Sequence, residues 1–239
     1  CLTQRYARDL YEEIPEIDIL LGVNEYLRLP EILKEYQEQK KRVSVIGSAA
    51  KDYCEIPVRR PEPGAYYSYL KISEGCDKVC SYCIIPSIRG HYRSRKMEDI
   101  LQEVRNLTAN GYKEIVLTGI HISSYGLDFE HTADEQEDYG PFKNSALIDL
   151  IETLSGIEGL ERIRLGSLEP RIITENFVRR LCKVPQICPH FHLSLQSGCD
   201  TVLSRMNRRY DTAEYEVGCA LLRRYFEHPA ITTDVIVGF

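Results

Sequence analysis

Three cysteines in one short loop constrain the fold of this chain more than any other feature. Cys76, Cys80 and Cys83 form a C-x3-C-x2-C triplet directly after the strand-like run 69–72. Soft thiolate ligands suit iron, and a loop this short can hold three corners of an iron–sulfur cube. A fourth cysteine is missing nearby, so one iron would stay open for a small molecule.

Other sites can be built from the same triplet. A structural zinc site normally takes four protein ligands, and the nearest further candidates are Cys54 and His91. An electron-carrying ferredoxin would use a fourth cysteine, often followed by proline. A disulfide framework does not suit a chain of this length and composition. The spacing favours the cluster with an open iron and leaves zinc and the electron carrier as alternatives.

The composition is that of a globular protein. The 239 residues, 43% of them hydrophobic and 28% charged, can bury a substantial core. No apolar run approaches the ~20 residues that a membrane span needs. Nine cysteines without a secretory signal indicate a reducing compartment, so we expect the cytoplasm.

The charge distribution bears on nucleic-acid binding. A net charge of −6 argues against nonspecific avidity for nucleic acid but allows a local basic site. No acid occurs between Asp77 and Glu98. Five cations lie in that interval: Lys78, Arg89, Arg93, Arg95 and Lys96. Beside the cysteine loop they could meet phosphates, although a solvated turn is the simpler interpretation.

Strands alternate with helices from residue 67 onward. Five strand-like runs occur at 69–72, 114–118, 162–168, 190–196 and 231–237. One helix is predicted from Met97 to a stop at Asn110-Gly111, and another opens with a capping box of Asp211 and Glu214. Five β–α units predict part of a parallel α/β barrel, whose active site lies at the carboxyl ends of the strands. The triplet follows the first strand, so the cluster is expected there.

The remaining segments suggest further organisation. Residues 1–40, with helices predicted at 2–13 and 26–39 and a strand at 18–21, look like the tail of a separate α/β domain. Residues 41–66 contain three prolines and two glycines, which suits a linker to a barrel over 67–239. Residues 128–138 carry six acids and are expected to form an exposed insertion without a catalytic role.

Several motifs together resemble a known family. The triplet on the first strand of a parallel barrel is similar to the radical S-adenosylmethionine superfamily. Within it, the run from Ile72 to Pro86, with Arg89-Gly90 and 93–95, resembles the methylthiotransferases, as do 193–198 (LSLQSG) and 205–210 (RMNRRY). Segments 117–121 (LTGIH) and 162–170 (RIRLGSLEP) look closest to the branch that modifies threonylcarbamoyladenosine in tRNA. Relatives in the family act on isopentenyladenosine in tRNA or on an aspartate of a ribosomal protein.

The resemblance implies a reaction and its cofactors. A reduced [4Fe-4S] cluster passes an electron to S-adenosylmethionine at its open iron, and the 5′-deoxyadenosyl radical removes a hydrogen that no side-chain base could take. A second [4Fe-4S] cluster supplies sulfur, and another S-adenosylmethionine supplies the methyl group. The implied product carries a methylthio group at C2 of threonylcarbamoyladenosine in tRNA, and an electron donor is a further partner. A noncatalytic iron–sulfur or zinc module that binds RNA is the alternative from another class.

The resemblance also suggests roles for individual residues. Cys76, Cys80 and Cys83 would be the catalytic cluster ligands, and Cys1 matches the last of three cysteine motifs that bind the second cluster. Cofactor-binding candidates lie in the cysteine loop and after the later strands: Tyr82, Gly119, Ser167, Glu169, Gln196, Ser197, Ile236 and Gly238. Candidates for RNA contacts are Arg89, Arg93, Arg208 and Arg209. Each could instead cap a helix or be solvated.

Two expectations concern the rest of the chain. Both ends look cut, so we expect an internal fragment that is inactive by itself. The five other cysteines are not expected to bind metal, and Cys219 is expected in the core. These five are Cys54, Cys182, Cys188, Cys199 and Cys219.

Overall fold

The computed structural model describes residues 1–48, 53, 62, 64–129, 140–142 and 145–239. Much of the predicted linker 41–66 and nearly all of the acidic segment 128–138 lie outside the described residues, as does Cys54. Among the described residues, no helix combines the length and the apolarity that crossing a membrane requires.

The first 48 residues form a small α/β unit. Helix α1 (Leu2–Glu13), strand β1 (Ile19–Leu21), helix α2 (Leu29–Gln39) and strand β2 (Val43–Val45) follow one another, with a 3-10 turn at Tyr26–Arg28. Strands β1 and β2 pair in parallel. Pro30 lies in the first turn of α2, where its missing N–H removes no helical hydrogen bond. The predicted helices and first strand are confirmed, whereas β2 falls within the segment predicted as a linker.

Five parallel strands carry the rest of the fold. They are β3 (Tyr67–Lys71), β6 (Glu114–Thr118), β7 (Arg162–Leu165), β8 (His190–His192) and β9 (Ala230–Thr232). Strand β6 pairs with both β3 and β7, and β8 pairs with β9. A parallel bridge between Leu168 and Leu193 links the two sets, which gives the order β3-β6-β7-β8-β9. Two short strands, β4 (Ser73–Glu74) and β5 (Arg93–Ser94), pair in antiparallel fashion after β3.

Helices connect the parallel strands. They are α3 (Ile85–Arg89), α4 (Met97–Ala109), α5 (Ala146–Ser155), α6 (Glu175–Leu181), α7 (Asp200–Arg205) and α8 (Thr212–Tyr225). Asp211 and Glu214 form the predicted capping box at the start of α8. Gly111, just after α4, has φ +89°, which confirms the predicted stop. The partial parallel α/β barrel predicted from the sequence is therefore confirmed.

One face of the strands packs against the helices. Leu70, Leu117, Ile163 and Phe191 are fully buried there, and Cys219 of α8 joins the same core as predicted. Burial of such side chains contributes about 1.5–3 kcal/mol each, so this layer fixes the positions of the strand ends. The alternate residues of β3 point the other way, and Tyr69 is 59% exposed.

Three strands are shorter than predicted. The regular ladders end at Leu165, His192 and Thr232 rather than at residues 168, 196 and 237. Beyond these points the chains still touch through the Leu168–Leu193 and Gln196–Val235 bridges. Gly166 is the first residue after β7. An added Cβ there would lie 2.9 Å from the Leu117 carbonyl oxygen, so the backbone of β6 comes close at this point. Three candidate site residues, Ser167, Gln196 and Ile236, lie in the segments between the observed and the predicted strand ends.

Candidate functional site

The cysteine loop leaves the barrel through a conformation that requires glycine. Gly75 has φ +73°, and a Cβ there would lie 2.1 Å from the His91 carbonyl oxygen. The β4–β5 pair closes the base of the loop, and the Cys76 N–H donates to the Gly90 carbonyl oxygen at 3.2 Å. The loop therefore starts from a backbone position that is fixed on both sides.

The three cysteines come together on this loop. Cys76 is buried, while Cys80 and Cys83 are half-buried. Burial raises the pKa of the Cys76 thiol, and the nearby sulfur atoms of Cys80 and Cys83 raise it further. The Lys78 N–H donates to Cys76 Sγ at 3.4 Å. A metal must displace the thiol protons on binding, and soft thiolates such as these favour zinc or an iron–sulfur cluster.

The donor set of this loop is compatible with an iron–sulfur cluster. Among the described residues, no three His, Cys, Asp or Glu side chains converge closely enough to hold one metal ion. A [4Fe-4S] cluster is held by cysteine thiolates that bind different irons, so its ligands stand further apart. Three neighbouring cysteines, of which Cys76 and Cys80 accept hydrogen bonds through their sulfurs, fit such a cluster.

Glu169 combines a buried carboxylate with an unsatisfied oxygen. It follows β7 and is 6% exposed. The Arg171 Nε donates to Glu169 Oε1 at 2.6 Å, whereas Glu169 Oε2 is buried and has no hydrogen-bond partner among the described residues. Leaving such an oxygen unpaired costs about 1–3 kcal/mol, more for a charged group. A ligand donor at Oε2 would remove that cost.

The fourth and fifth strand ends are tied to each other. Gln196 has φ +68°, a left-handed conformation that non-glycine residues rarely adopt. The Ile236 N–H donates to the Gln196 carbonyl oxygen at 2.9 Å. Ser197 is buried and its Oγ accepts from the Cys199 N–H at 3.3 Å. These residues share the carboxyl edge of the strands with Glu169.

The other cofactor candidates differ in setting. Gly119 leaves room for the Ser73 hydroxyl, which would lie 2.4 Å from an added Cβ, so the structure gives this glycine a packing reason. Ser167 is exposed, and Gly238 has open space above it. The Tyr82 ring lies 6.4 Å from that of Phe239 in an edge-on arrangement.

Two of the four candidate arginines bond to the cysteine loop or its base. Arg93 is 4% exposed, and its Nη1 donates to the carbonyl oxygens of Arg89 and His91. Its predicted RNA contact is corrected here, because the guanidinium is used to hold the loop backbone. Arg208 is half-buried, and its Nη1 lies 3.2 Å from Cys80 Sγ, which places it beside the candidate cluster ligands. Charge alone could not reveal either position.

Arg89 and Arg209 remain accessible. Arg89 is half-buried, pairs with Glu74 at 3.2 Å, and points its Nε at Cys1 Sγ, also at 3.2 Å. This contact brings Cys1, the candidate ligand of a second cluster, next to the helix that follows the triplet. Arg209 is exposed.

His121 was not among the predicted site residues. It follows β6, and its Nδ1 lies 2.8 Å from Ser124 Oγ. Burial, together with the positive charges of Lys78 and Arg208, lowers the pKa of His121 to about 3. A neutral imidazole therefore lies at the carboxyl edge of the strands. Its place within the LTGIH motif, directly after a predicted strand, was the available signal.

Comparison with a family model decides the superfamily. The model described as the Radical SAM superfamily matches residues 70–239. The chain belongs to the radical SAM superfamily. The match begins within β3 and covers the other four parallel strands, so it falls on the barrel.

Relatives of this radical SAM protein extend over the whole chain. A tRNA-2-methylthio-N(6)-dimethylallyladenosine synthase of Sulfurihydrogenibium sp. is 35% identical over 242 residues, covering 100% of the chain and 52% of the relative. A ribosomal protein uS12 methylthiotransferase, RimO, of Geobacter sulfurreducens is 37% identical over 239 residues, covering 100% and 51%. The chain thus spans about half the length of the curated relatives it matches. These matches confirm the resemblance to radical methylthiotransferases and do not select a branch.

Solved structures agree on the fold. The radical S-adenosylmethionine methyltransferase TsrM from Kitasatospora setae, solved with tryptophan substrate and a SAM analogue, matches with a TM-score of 0.52 at 17% identity. The match covers 72% of the chain and 30% of the TsrM chain. At this identity the likeness concerns the fold alone.

Proposed function

We propose that this radical SAM protein is the radical-forming part of a methylthiotransferase that adds a methylthio group to C2 of N6-threonylcarbamoyladenosine in tRNA. The observation that carries the proposal is the position of the cysteine triplet at the carboxyl edge of five parallel strands. The unpaired Glu169 Oε2 lies at the same edge. Active sites of parallel barrels lie at this edge.

The proposed cofactor residues have separate roles. Cys76, Cys80 and Cys83 hold the [4Fe-4S] cluster, which when bound supplies the electron that cleaves S-adenosylmethionine. Glu169 Oε2 accepts a hydrogen bond from the cofactor, and Gln196 and Ser197 border it. Tyr82 and Ile236 offer apolar surface to the adenine. Cys1 belongs to the second cluster, next to Arg89.

The proposed substrate rests on sequence resemblance. The LTGIH and RIRLGSLEP segments favour threonylcarbamoyladenosine, while the relatives bear the names of enzymes for dimethylallyladenosine in tRNA and for ribosomal protein uS12. Those two substrates are the alternatives. Arg209 is exposed and free to meet tRNA phosphates. We also propose the division into 1–40, 41–66 and 67–239, an electron donor as partner, and a cytoplasmic location.

The test measures the cleavage of S-adenosylmethionine with each candidate substrate. The chain, reconstituted with iron and sulfide without oxygen, is mixed with dithionite, S-adenosylmethionine and one of three substrates. These are tRNA bearing threonylcarbamoyladenosine, tRNA bearing isopentenyladenosine, and ribosomal protein uS12. Mass spectrometry should detect 5′-deoxyadenosine, formed at the highest rate with the first substrate; the methylthio product is not expected, because Cys1 alone cannot hold the second cluster that supplies sulfur. A higher rate with another substrate would favour that branch instead.

Matched variants define the controls. Cys80→Ala should abolish 5′-deoxyadenosine formation. Glu169→Gln keeps the shape of the side chain and should weaken S-adenosylmethionine binding by at least about tenfold, because an uncharged amide replaces the accepting oxygen. Iron binding without cofactor cleavage in the unaltered chain would instead support the noncatalytic module.

A further inference from the structure

Segment 205–208 and the cysteine loop are joined by consecutive hydrogen bonds. The two segments are more than 120 residues apart in the sequence. The bonds run from Ser81 N to Met206 O at 3.0 Å, Ser81 Oγ to Arg205 O at 3.0 Å, Asn207 Nδ2 to Val79 O at 2.9 Å, and Arg208 Nη1 to Cys80 Sγ at 3.2 Å. Residues 79–81 are therefore held from outside the loop, and Arg208 is the member that touches a cluster ligand.

The Arg208 side chain is itself fixed by its other nitrogens. Its Nε donates to Tyr210 Oη at 3.0 Å, and its Nη2 donates to the Ser194 carbonyl oxygen at 3.3 Å. Tyr210 is 5% exposed, and its hydroxyl donates to the carbonyl oxygens of Ser194 and Leu195. One guanidinium thus joins the end of β8 to Cys80. A fork with this many contacts has little freedom to turn toward solvent.

A fixed guanidinium next to a cluster ligand has an electronic consequence. Arginine keeps its charge at all accessible pH values. Hydrogen bonds to the cysteine sulfurs and the local charge set the reduction potential of an iron–sulfur cluster. A positive donor stabilises the reduced cluster, which carries one more negative charge than the oxidised cluster. The effect on the potential is therefore upward.

We propose that Arg208 is a positioning residue of the cluster: it holds Cys80 in place and raises the reduction potential. The proposal rests on the proposed function, since it requires the cluster to bind at the triplet. It gives Arg208 a role besides the RNA contact that the sequence predicts. The same RNA contact is predicted for Arg209, one residue later and exposed.

The test is a redox titration followed by electron paramagnetic resonance on the reconstituted chain. Arg208→Gln keeps a donor group and removes the charge, and Arg208→Lys keeps the charge and removes the fork. Arg209→Gln is the matched control. Arg208→Gln should shift the midpoint potential to a more negative value at full iron content. Arg208→Lys should shift it less, and Arg209→Gln should leave it unchanged.

The outcomes separate this proposal from the proposed function. An unchanged midpoint in Arg208→Gln with full iron content would overturn the role of Arg208 while leaving the cluster intact. Failure of the unaltered chain to bind iron would overturn the proposed function instead. If Arg208→Gln folds, as judged by circular dichroism, but loses iron, the holding of Cys80 is supported. The electronic role is then tested with Arg208→Lys. A more negative midpoint potential in that variant supports the role, and an unchanged midpoint potential overturns it.

Discussion

Residues 1–48 and residues 64–239 stabilise their candidate cluster ligands in different ways. In the first region helix α1 has no buried residue, and Leu20 and Ile32 are the buried hydrophobic side chains. In the second, the main core runs from Leu70 to Leu222 and backs all five parallel strands. Cys1 thus stands on a lightly packed unit, whereas Cys76 stands on a loop anchored to a large core.

The difference extends to hydrogen bonds. Polar contacts such as Thr3 Oγ1 to the Leu21 carbonyl oxygen at 2.6 Å join elements of the first region. Three features hold the cysteine loop instead: the positive φ of Gly75, the β4–β5 pair and the hydrogen bonds to segment 205–208. A loop held in this way is preorganised for its ligand, which lowers the ordering cost of binding. We therefore expect the radical SAM cluster site to form before any metal binds.

Loss of core packing should give the largest effect. Phe191 is fully buried, and its ring lies 4.9 Å from that of Phe226. Phe191→Ala should lower the free energy of unfolding by about 3–5 kcal/mol, because it removes a large side chain and leaves a cavity. Urea unfolding followed by circular dichroism measures it. Tyr6→Ala, at a residue 40% exposed in the first region, should cost less than about 0.5 kcal/mol; equal costs would contradict the comparison.

Strain in the cysteine loop should give the second-largest effect. Gly75→Ala forces a left-handed φ on alanine and a collision with the His91 carbonyl oxygen, so both stability and iron content should fall. The loss should exceed the roughly 1–2 kcal/mol expected of the left-handed conformation alone. Gly111→Ala isolates that smaller effect, since Gly111 has φ +89° and open space around it. Full iron content in Gly75→Ala would show that the loop is not preorganised.

His121 should give a smaller, pH-dependent effect. Burial lowers its pKa from the ordinary 6.5 to about 3, so the unfolded chain takes up a proton below pH 6.5 that the folded chain does not. Folding stability is therefore present above pH 6.5 and lost as the pH falls toward 3. Between pH 7 and 5 the loss is about 2 kcal/mol.

The His121→Gln variant removes this titration. Its stability should change less between pH 7 and 5 than that of the unaltered chain, by about 2 kcal/mol in urea unfolding. His228→Asn, at an exposed residue outside the strands, should leave the pH dependence as it is. Parallel pH profiles for the unaltered chain and His121→Gln would show that His121 is not held neutral by burial.

The sequence predicted the parallel barrel and the place of the triplet because both follow from local patterns. Alternating apolar runs and helical periods report burial directly, and the strand at Glu114–Thr118 was predicted residue for residue. Strand ends were predicted less well, since the departure at Gly166 depends on the neighbouring Leu117 carbonyl oxygen.

Positions that depend on long-range contacts could not be predicted from the sequence. Arg93 and Arg208 are indistinguishable from surface arginines in the sequence, because their partners come from folding. Arg208 meets Cys80 across 128 residues. Glu169 Oε2, which has no hydrogen-bond partner among the described residues, likewise could not be predicted, because Arg171 bonds to Oε1 only in the folded chain.

The central claim is that Cys76, Cys80 and Cys83 hold a cluster with one open iron. Electron paramagnetic resonance of the anaerobically reconstituted, dithionite-reduced chain, with and without S-adenosylmethionine, tests it most directly. We predict a reduced four-iron signal whose shape changes when S-adenosylmethionine is added. A signal indifferent to S-adenosylmethionine, or zinc in place of iron, would contradict the claim.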